Sequence, residues 1–112
     1  MDGKLKIAVI GLGYAGLPLS INLAKYFSVV GFDTNLDRVK ELRHGFDRTQ
    51  EIIPVDLQST SMTFSITEKE IEGSDVFIIT VPTPVDQDNK PDLTAVLDAS
   101  SLVGKVIQKG AI

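Results

Sequence analysis

At 112 residues, with 43% hydrophobic and 23% charged side chains, the chain holds one domain's worth of sequence and enough apolar mass for a modest core. A net charge of -4 with no basic cluster argues against a nucleic-acid partner, and the absence of cysteine rules out a disulfide framework, a thiolate metal site and a cysteine nucleophile in this chain. No apolar run approaches the roughly 20 residues of a membrane span and no signal-peptide pattern opens the chain, so a cytoplasmic protein with a small-molecule ligand and no membrane association is expected.

Short apolar runs alternate with helical patterns, which is α/β punctuation. Leu5 to Ile10 reads as a first strand, a continuous apolar run of the kind buried on both faces of a parallel sheet. A helix from about Ala15 to Tyr26 follows, with Leu19, Leu23 and Phe27 recurring every four positions and Pro18 tolerated in the first turn. Val29 to Phe32 is the second strand. A second helix starts near Thr34 or Asn35, either of which can cap it, shows Leu36, Val39 and Leu42 on one face, and ends at Gly45. After a loop from Phe46 to Thr60 with a short helix around Pro54 to Gln58, Met62 to Ile66 forms a third strand. Thr67 and Glu70 fit a capping box for a short helix running to Gly73. Val76 to Val81 is the fourth strand. A helix from about Asp92 to Gln108 is stopped by Gly110, and Ala111-Ile112 reads as the opening of a fifth strand.

The stretch joining the first strand to the first helix is Gly11-Leu12-Gly13-Tyr14-Ala15-Gly16, the glycine spacing of a dinucleotide-binding turn. Gly11 allows the tight turn, Gly13 lets a pyrophosphate approach backbone N–H groups, and Gly16 lets the helix pack closely on the sheet. The helix N-terminus supplies the positive end for the anion. By itself the glycine pattern is weak, and a structural turn is the bland alternative. Asp33, 20 residues beyond Gly13 at the end of the second strand, strengthens it, because its carboxylate can accept hydrogen bonds from both adenosine ribose hydroxyls. A 2'-phosphate beside that carboxylate meets like-charge repulsion, so NAD is expected over NADP.

Arg38, five residues after Asp33, has two readings: it swings over the adenine or toward the ribose, or it is a solvated charge on its helix. The string TVPTPVD, residues 80 to 86, leaves the fourth strand at the sheet edge where ligands bind in doubly wound folds, and Pro82 and Pro84 stiffen the backbone around Thr83. A loop built this way can hold the Thr83 hydroxyl against a cofactor; the plain alternative is a strand-ending turn. His44 is read as a helix-dipole partner. Asp86, Asp88, Asn89 and Asp92 are read as a solvated loop and cap, since a calcium loop needs a glycine and a terminal glutamate that this spacing lacks.

The run KIAVIGLGYAGLPLSINLAKYFSVVGFDTNLDRVKELRHG, with DVFIITVPTPVD and PDLTAV, resembles the N-terminal part of the UDP-glucose/GDP-mannose dehydrogenase family over essentially the whole chain. The segment GFDRTQEI, residues 45 to 52, resembles the branch acting on UDP-N-acetylhexosamines. The resemblance implies a Rossmann-type doubly wound parallel sheet, incomplete at about the start of the fifth strand, with residues 1–112 as the NAD-binding domain and the central and sugar-nucleotide domains absent. It also implies an enzyme that oxidises the C6 alcohol of a nucleotide sugar to the carboxylate in two hydride transfers to NAD, feeding polysaccharide synthesis. Carried over by position, Gly11, Leu12, Gly13, Tyr14, Ala15 and Gly16 line the pyrophosphate, Asp33 and Arg38 the adenosine ribose, and Val81, Pro82 and Thr83 the rest of the cofactor. The family's catalytic cysteine, lysine and asparagine lie beyond residue 112, so the chain reads as a fragment without catalytic residues, silent alone, with the UDP-sugar met only by the full-length enzyme.

Two other readings stand beside this one: a standalone dinucleotide-sensing module without catalysis, and an NADP-linked reductase domain. The uncovered sheet edge near Ala111-Ile112 leaves room for association into a homo-oligomer.

Overall fold

Strands form where the apolar runs are continuous, and the crossover helices between them force those strands to lie parallel. The computed structural model describes residues 5–13, 15–48, 50, 52, 54–81, 87–88, 92–107 and 110–112. Its elements are β1 (Lys6–Ile10), α1 (Gly16–Leu23), β2 (Ser28–Phe32), α2 (Leu36–Arg43), α3 (Pro54–Ser59), β3 (Thr63–Ser65), a 3₁₀ turn (Glu68–Ile71), β4 (Val76–Ile79) and α4 (Thr94–Val106). The strands make one parallel sheet in the order β3-β2-β1-β4. From β1 the chain builds outward to β2 and β3, then crosses to the other side of β1 for β4. Ile112 donates its N–H to the Asp75 carbonyl (2.9 Å) and accepts from Phe77 N–H (2.6 Å), a parallel bridge opposite Val76 on the outer side of β4. The fifth strand expected at Ala111-Ile112 therefore begins in the order a doubly wound sheet requires.

The alternation along β1 splits the core in two. Ile7 and Val9 face α1 and α2, in a cluster with Leu12, Leu17, Ile21, Val39, Leu42 and Met62. Ala8 and Ile10 face the other side, packed with Val30, Phe32, Ile71, Ala99, Leu102 and Val106. Helices thus cover both faces, which is the doubly wound, Rossmann-type α/β architecture. Gly31, in the middle of β2, is a close-approach position: a Cβ there would stand 2.7 Å from Leu12 Cδ2 and 2.8 Å from Met62 Cε. The edge strand β3 is blunted by Arg43, whose Nε and Nη2 both donate to the Phe64 carbonyl, at 3.1 and 2.7 Å.

Several local expectations are corrected. The buried face of α1 is Leu17, Ser20 and Ile21, continued by Ala24; Leu19 is exposed and Leu23 and Phe27 are only partly buried. On α2, Val39 and Leu42 are buried as expected, but Arg38 is buried with them and Leu36 is exposed. The capping box does not form. The Ser65 hydroxyl takes the Thr67 N–H at 3.0 Å, the Thr67 hydroxyl donates to the Glu70 carboxylate at 3.2 Å, and residues Glu68–Ile71 make a single 3₁₀ turn too short for reciprocal capping. Asp92 lies before α4 and accepts the Thr94 N–H at 2.9 Å, and Gln108 lies outside the described residues.

Candidate functional site

The carboxyl ends of β1, β2 and β4 meet where the chain reverses direction across the sheet, and a cleft of about 710 Å³ opens there. Its floor is Ile10 to Gly13, one wall is Phe32 to Asn35, and the other is Thr80, Val81 and the α4 residues Ala95, Asp98 and Ala99. The glycine turn sits at the centre. Gly11 adopts φ +103°, and a Cβ there would press on the Thr80 backbone at 3.0 Å, so both the turn and its packing need glycine. Gly16 lies so close to the Gly11 carbonyl and Thr80 Oγ1 that a Cβ would overlap both. Gly13 differs, since a Cβ there would meet nothing within 4 Å among the described residues.

The turn is held from four directions. Gly11 N–H donates to the Phe32 carbonyl (2.8 Å), and the Thr80 hydroxyl donates to the Gly11 carbonyl (2.8 Å). The Leu12 side chain is fully buried, while its N–H donates to Asp33 Oδ2 (3.0 Å) and its carbonyl accepts from Arg38 Nε (2.8 Å). A buried leucine is worth about 1.5–3 kcal/mol and each hydrogen bond to a charged group about the same, so the two-bond peptide clamp holds the turn at least as strongly as the side-chain anchor. The helix behind it begins without help. Ala15 at the N-cap offers no side-chain oxygen and the first turn of α1 has no acidic residue, which leaves its positive end for an external anion.

Asp33 is oriented into this turn. Oδ1 accepts Asn35 N–H (2.9 Å) while Oδ2 accepts Leu12 N–H, and a carboxylate with about four acceptor positions keeps capacity for ribose hydroxyls. Arg38 corrects the reading of a solvated helix charge. Its side chain is 8% exposed, and Nη1 donates to Asp47 Oδ1 (2.8 Å) and Glu41 Oε1 (3.0 Å). Nη2 is buried without a hydrogen-bond partner among the described residues. Arg48 completes the cluster through Nε, 2.9 Å from both oxygens of Glu41. Burial pushes the Glu41 pKa up, but hydrogen bonds from Arg48 and Arg38, with their charges, outweigh it and leave the carboxyl below its ordinary value.

Of the residues predicted for the site, Gly11, Leu12, Gly13, Asp33, Arg38 and Val81 line the cleft, and Ala15 and Gly16 form the adjoining helix start. Tyr14, Pro82 and Thr83 lie outside the described residues, as do Asp86 and Asn89. His44 is the C-cap residue of α2, away from the cleft. Sequence reasoning misses Thr80 and Asp47. The first stands inside the string TVPTPVD yet reads only as strand, and the second lies in the segment GFDRTQEI, whose resemblance assigns it no role.

The clear side of Gly13, the uncapped helix end and the spare acceptor capacity of Asp33 fit a dinucleotide laid across the turn, and together with the sheet they define an α/β dinucleotide-binding domain. Residues 5–112 match the NAD binding domain of the UDP-glucose/GDP-mannose dehydrogenase family. The chain belongs to that family, as its NAD-binding domain. It is 47% identical over 109 residues to UDP-N-acetyl-D-glucosamine 6-dehydrogenase of Pseudomonas aeruginosa, covering 96% of this chain and 26% of that protein. Against the enzyme of the same name from Salmonella typhi it is 42% identical over 110 residues, covering 97% and 26%. The solved structure of UDP-D-ManNAc dehydrogenase from Pyrococcus horikoshii superposes with a TM-score of 0.88 at 33% identity, over 96% of this chain and 27% of that one. The chain thus spans about a quarter of the length of these relatives. Among the described residues, no helix is long and apolar enough to cross a membrane.

Proposed function

We propose that this chain is the cofactor-binding portion of a nucleotide-sugar 6-dehydrogenase that oxidises the C6 alcohol of a UDP-N-acetylhexosamine to the carboxylate, in two hydride transfers each reducing one NAD, within cytoplasmic polysaccharide synthesis. The observation that carries the cofactor half is the Leu12 peptide clamped between Asp33 and Arg38 beside an empty-sided Gly13. The substrate half draws support from the two 6-dehydrogenase relatives. In this reading the pyrophosphate lies against Gly11, Leu12, Gly13, Tyr14, Ala15 and Gly16, with Tyr14 and Ala15 acting through backbone. Asp33 accepts the adenosine ribose hydroxyls, Arg38 braces the turn beside the ribose by holding the Leu12 carbonyl, and Val81, Pro82 and Thr83 flank the rest of the cofactor. The chemistry itself needs a nucleophile and a sugar site held together with the nicotinamide, and a chain with no cysteine does not supply the thiol of that family. NAD binding without turnover is the consequence.

Titration calorimetry of the 112-residue chain with NAD tests this, alongside an absorbance assay for NADH on addition of UDP-N-acetylglucosamine. The expected result is saturable NAD binding, weaker NADP binding and no NADH. Asp33→Ala should weaken NAD by at least about tenfold, as loss of hydrogen bonds to a charged acceptor implies, and should narrow the gap to NADP. A folded chain with no NAD affinity, or one that prefers NADP, would overturn the assignment.

A further inference from the structure

Asp47 is the most deeply buried carboxylate near the cleft, its side chain fully enclosed, and no step of the cofactor reading uses it. Its Oδ1 accepts from Arg38 Nη1 at 2.8 Å and its Oδ2 accepts from Ile52 N–H at 3.1 Å. Arg38 stands on the helix after the acidic tip of β2, the neighbourhood from which an arginine meets a 2'-phosphate in NADP-binding domains. In this chain that guanidinium is committed elsewhere. Nε holds the Leu12 carbonyl, Nη1 is shared by two carboxylates, and Arg38, Arg48, Glu41 and Asp47 form a quartet whose formal charges cancel. The positive charge a 2'-phosphate would need is therefore neutralised within the protein, while Asp33 still faces the cleft with its negative charge.

We infer that Asp47 is a specificity-determining positioning residue: by holding and neutralising Arg38 against the glycine turn, it withholds that guanidinium from a 2'-phosphate and keeps the site selective for NAD. The inference rests on the NAD reading above and adds to it a residue that touches no cofactor atom. A role in folding alone predicts something different, because a loosened turn weakens NAD and NADP alike and leaves their ratio unchanged.

The test is calorimetric titration of NAD and NADP into the wild-type chain, Asp47→Asn, Glu41→Gln and the double variant Arg38→Met/Asp47→Asn. Asp47→Asn should lower the ratio of the NADP Kd to the NAD Kd by about tenfold, the scale of one hydrogen bond to a charged group. Glu41→Gln, which removes the other carboxylate from the same nitrogen, should move the ratio the same way by less, and it serves as the readout if Asp47→Asn does not fold. In the double variant the NADP gain should vanish, because the guanidinium that delivers it is gone. An unmoved ratio in the folded single variants that still bind NAD, or an NADP gain that survives Arg38→Met, overturns the inference alone. Absence of NAD binding by the wild-type chain overturns the NAD reading and this inference with it.

Discussion

Three glycines in one turn do three separable jobs, and two of them can be told apart by experiment. At Gly16 a Cβ would collide with the Gly11 carbonyl and the Thr80 hydroxyl, atoms locked to each other by a 2.8 Å hydrogen bond, so neither can retreat cheaply. Gly16→Ala should cost about 1–3 kcal/mol of unfolding free energy, as overpacking does. At Gly13 the same atom meets none of the described residues, so Gly13→Val should leave stability within about 0.5 kcal/mol of wild type. On the proposed binding mode it should nevertheless weaken NAD by at least about tenfold, because the new side chain would occupy the pyrophosphate's approach and one lost contact of that kind is worth about 1.4 kcal/mol. Urea denaturation and NAD titration on both variants check the pair: the first should move mainly stability and the second mainly affinity. This distinction was legible in the residues themselves, since the spacing of Gly11, Gly13, Gly16 and Asp33 names the turn. Thr80 and Asp47 were not legible, because what matters about each is a partner brought close only by folding. Thr80 reaches a carbonyl 69 positions earlier, and Asp47 neutralises a guanidinium on the preceding helix.

Elements were readable to the extent that one local signal decided them. Asn35 is the N-cap of α2, its Oδ1 accepting Arg38 N–H at 3.1 Å, as an asparagine before an amphipathic run predicts. Faces were harder. Both α1 and α2 carry leucines on more than one side, so spacing selected Leu19 and Leu36, which are exposed, along with Val39 and Leu42, which are buried, and passed over Leu17, which the sheet turns inward. Asn35 has a second consequence at this scale, because its own N–H ties to Asp33 Oδ1 while its side chain starts the helix that delivers Arg38. The cap therefore links the acidic tip of β2 to the guanidinium bracing the turn. Asn35→Ala keeps the backbone N–H and removes only the side-chain acceptor, so it should destabilise the fold by about 1 kcal/mol. Circular-dichroism melting would detect this, and an unchanged melting temperature would mean that α2 is held by its packing alone.

Across the whole molecule, the doubly wound order β3-β2-β1-β4 brings the ends of three strands and one face of α4 to a single cleft, and the charge quartet is what ties the segment after α2 back to that cleft. The alternating pattern of strands and helices announced this architecture, but the quartet joins residues from α2 and the loop beyond it and had no periodicity to betray it. Within it Glu41 has a depressed folded-state pKa. Such a carboxyl stabilises the fold above its unfolded value of about 4.3 and loses that contribution as pH falls through the lower folded value. Glu41→Gln, neutral at every pH, should therefore be less stable than wild type near neutrality, with the difference shrinking below about pH 4.3 as the wild-type carboxyl protonates. Urea denaturation of both proteins from about pH 7 to about pH 3 isolates this one group, since every other carboxylate is common to the two. A stability difference that stayed constant across that range would mean that Glu41 acts through its shape and hydrogen bonds, and that the quartet's charge contributes nothing to holding the cleft together.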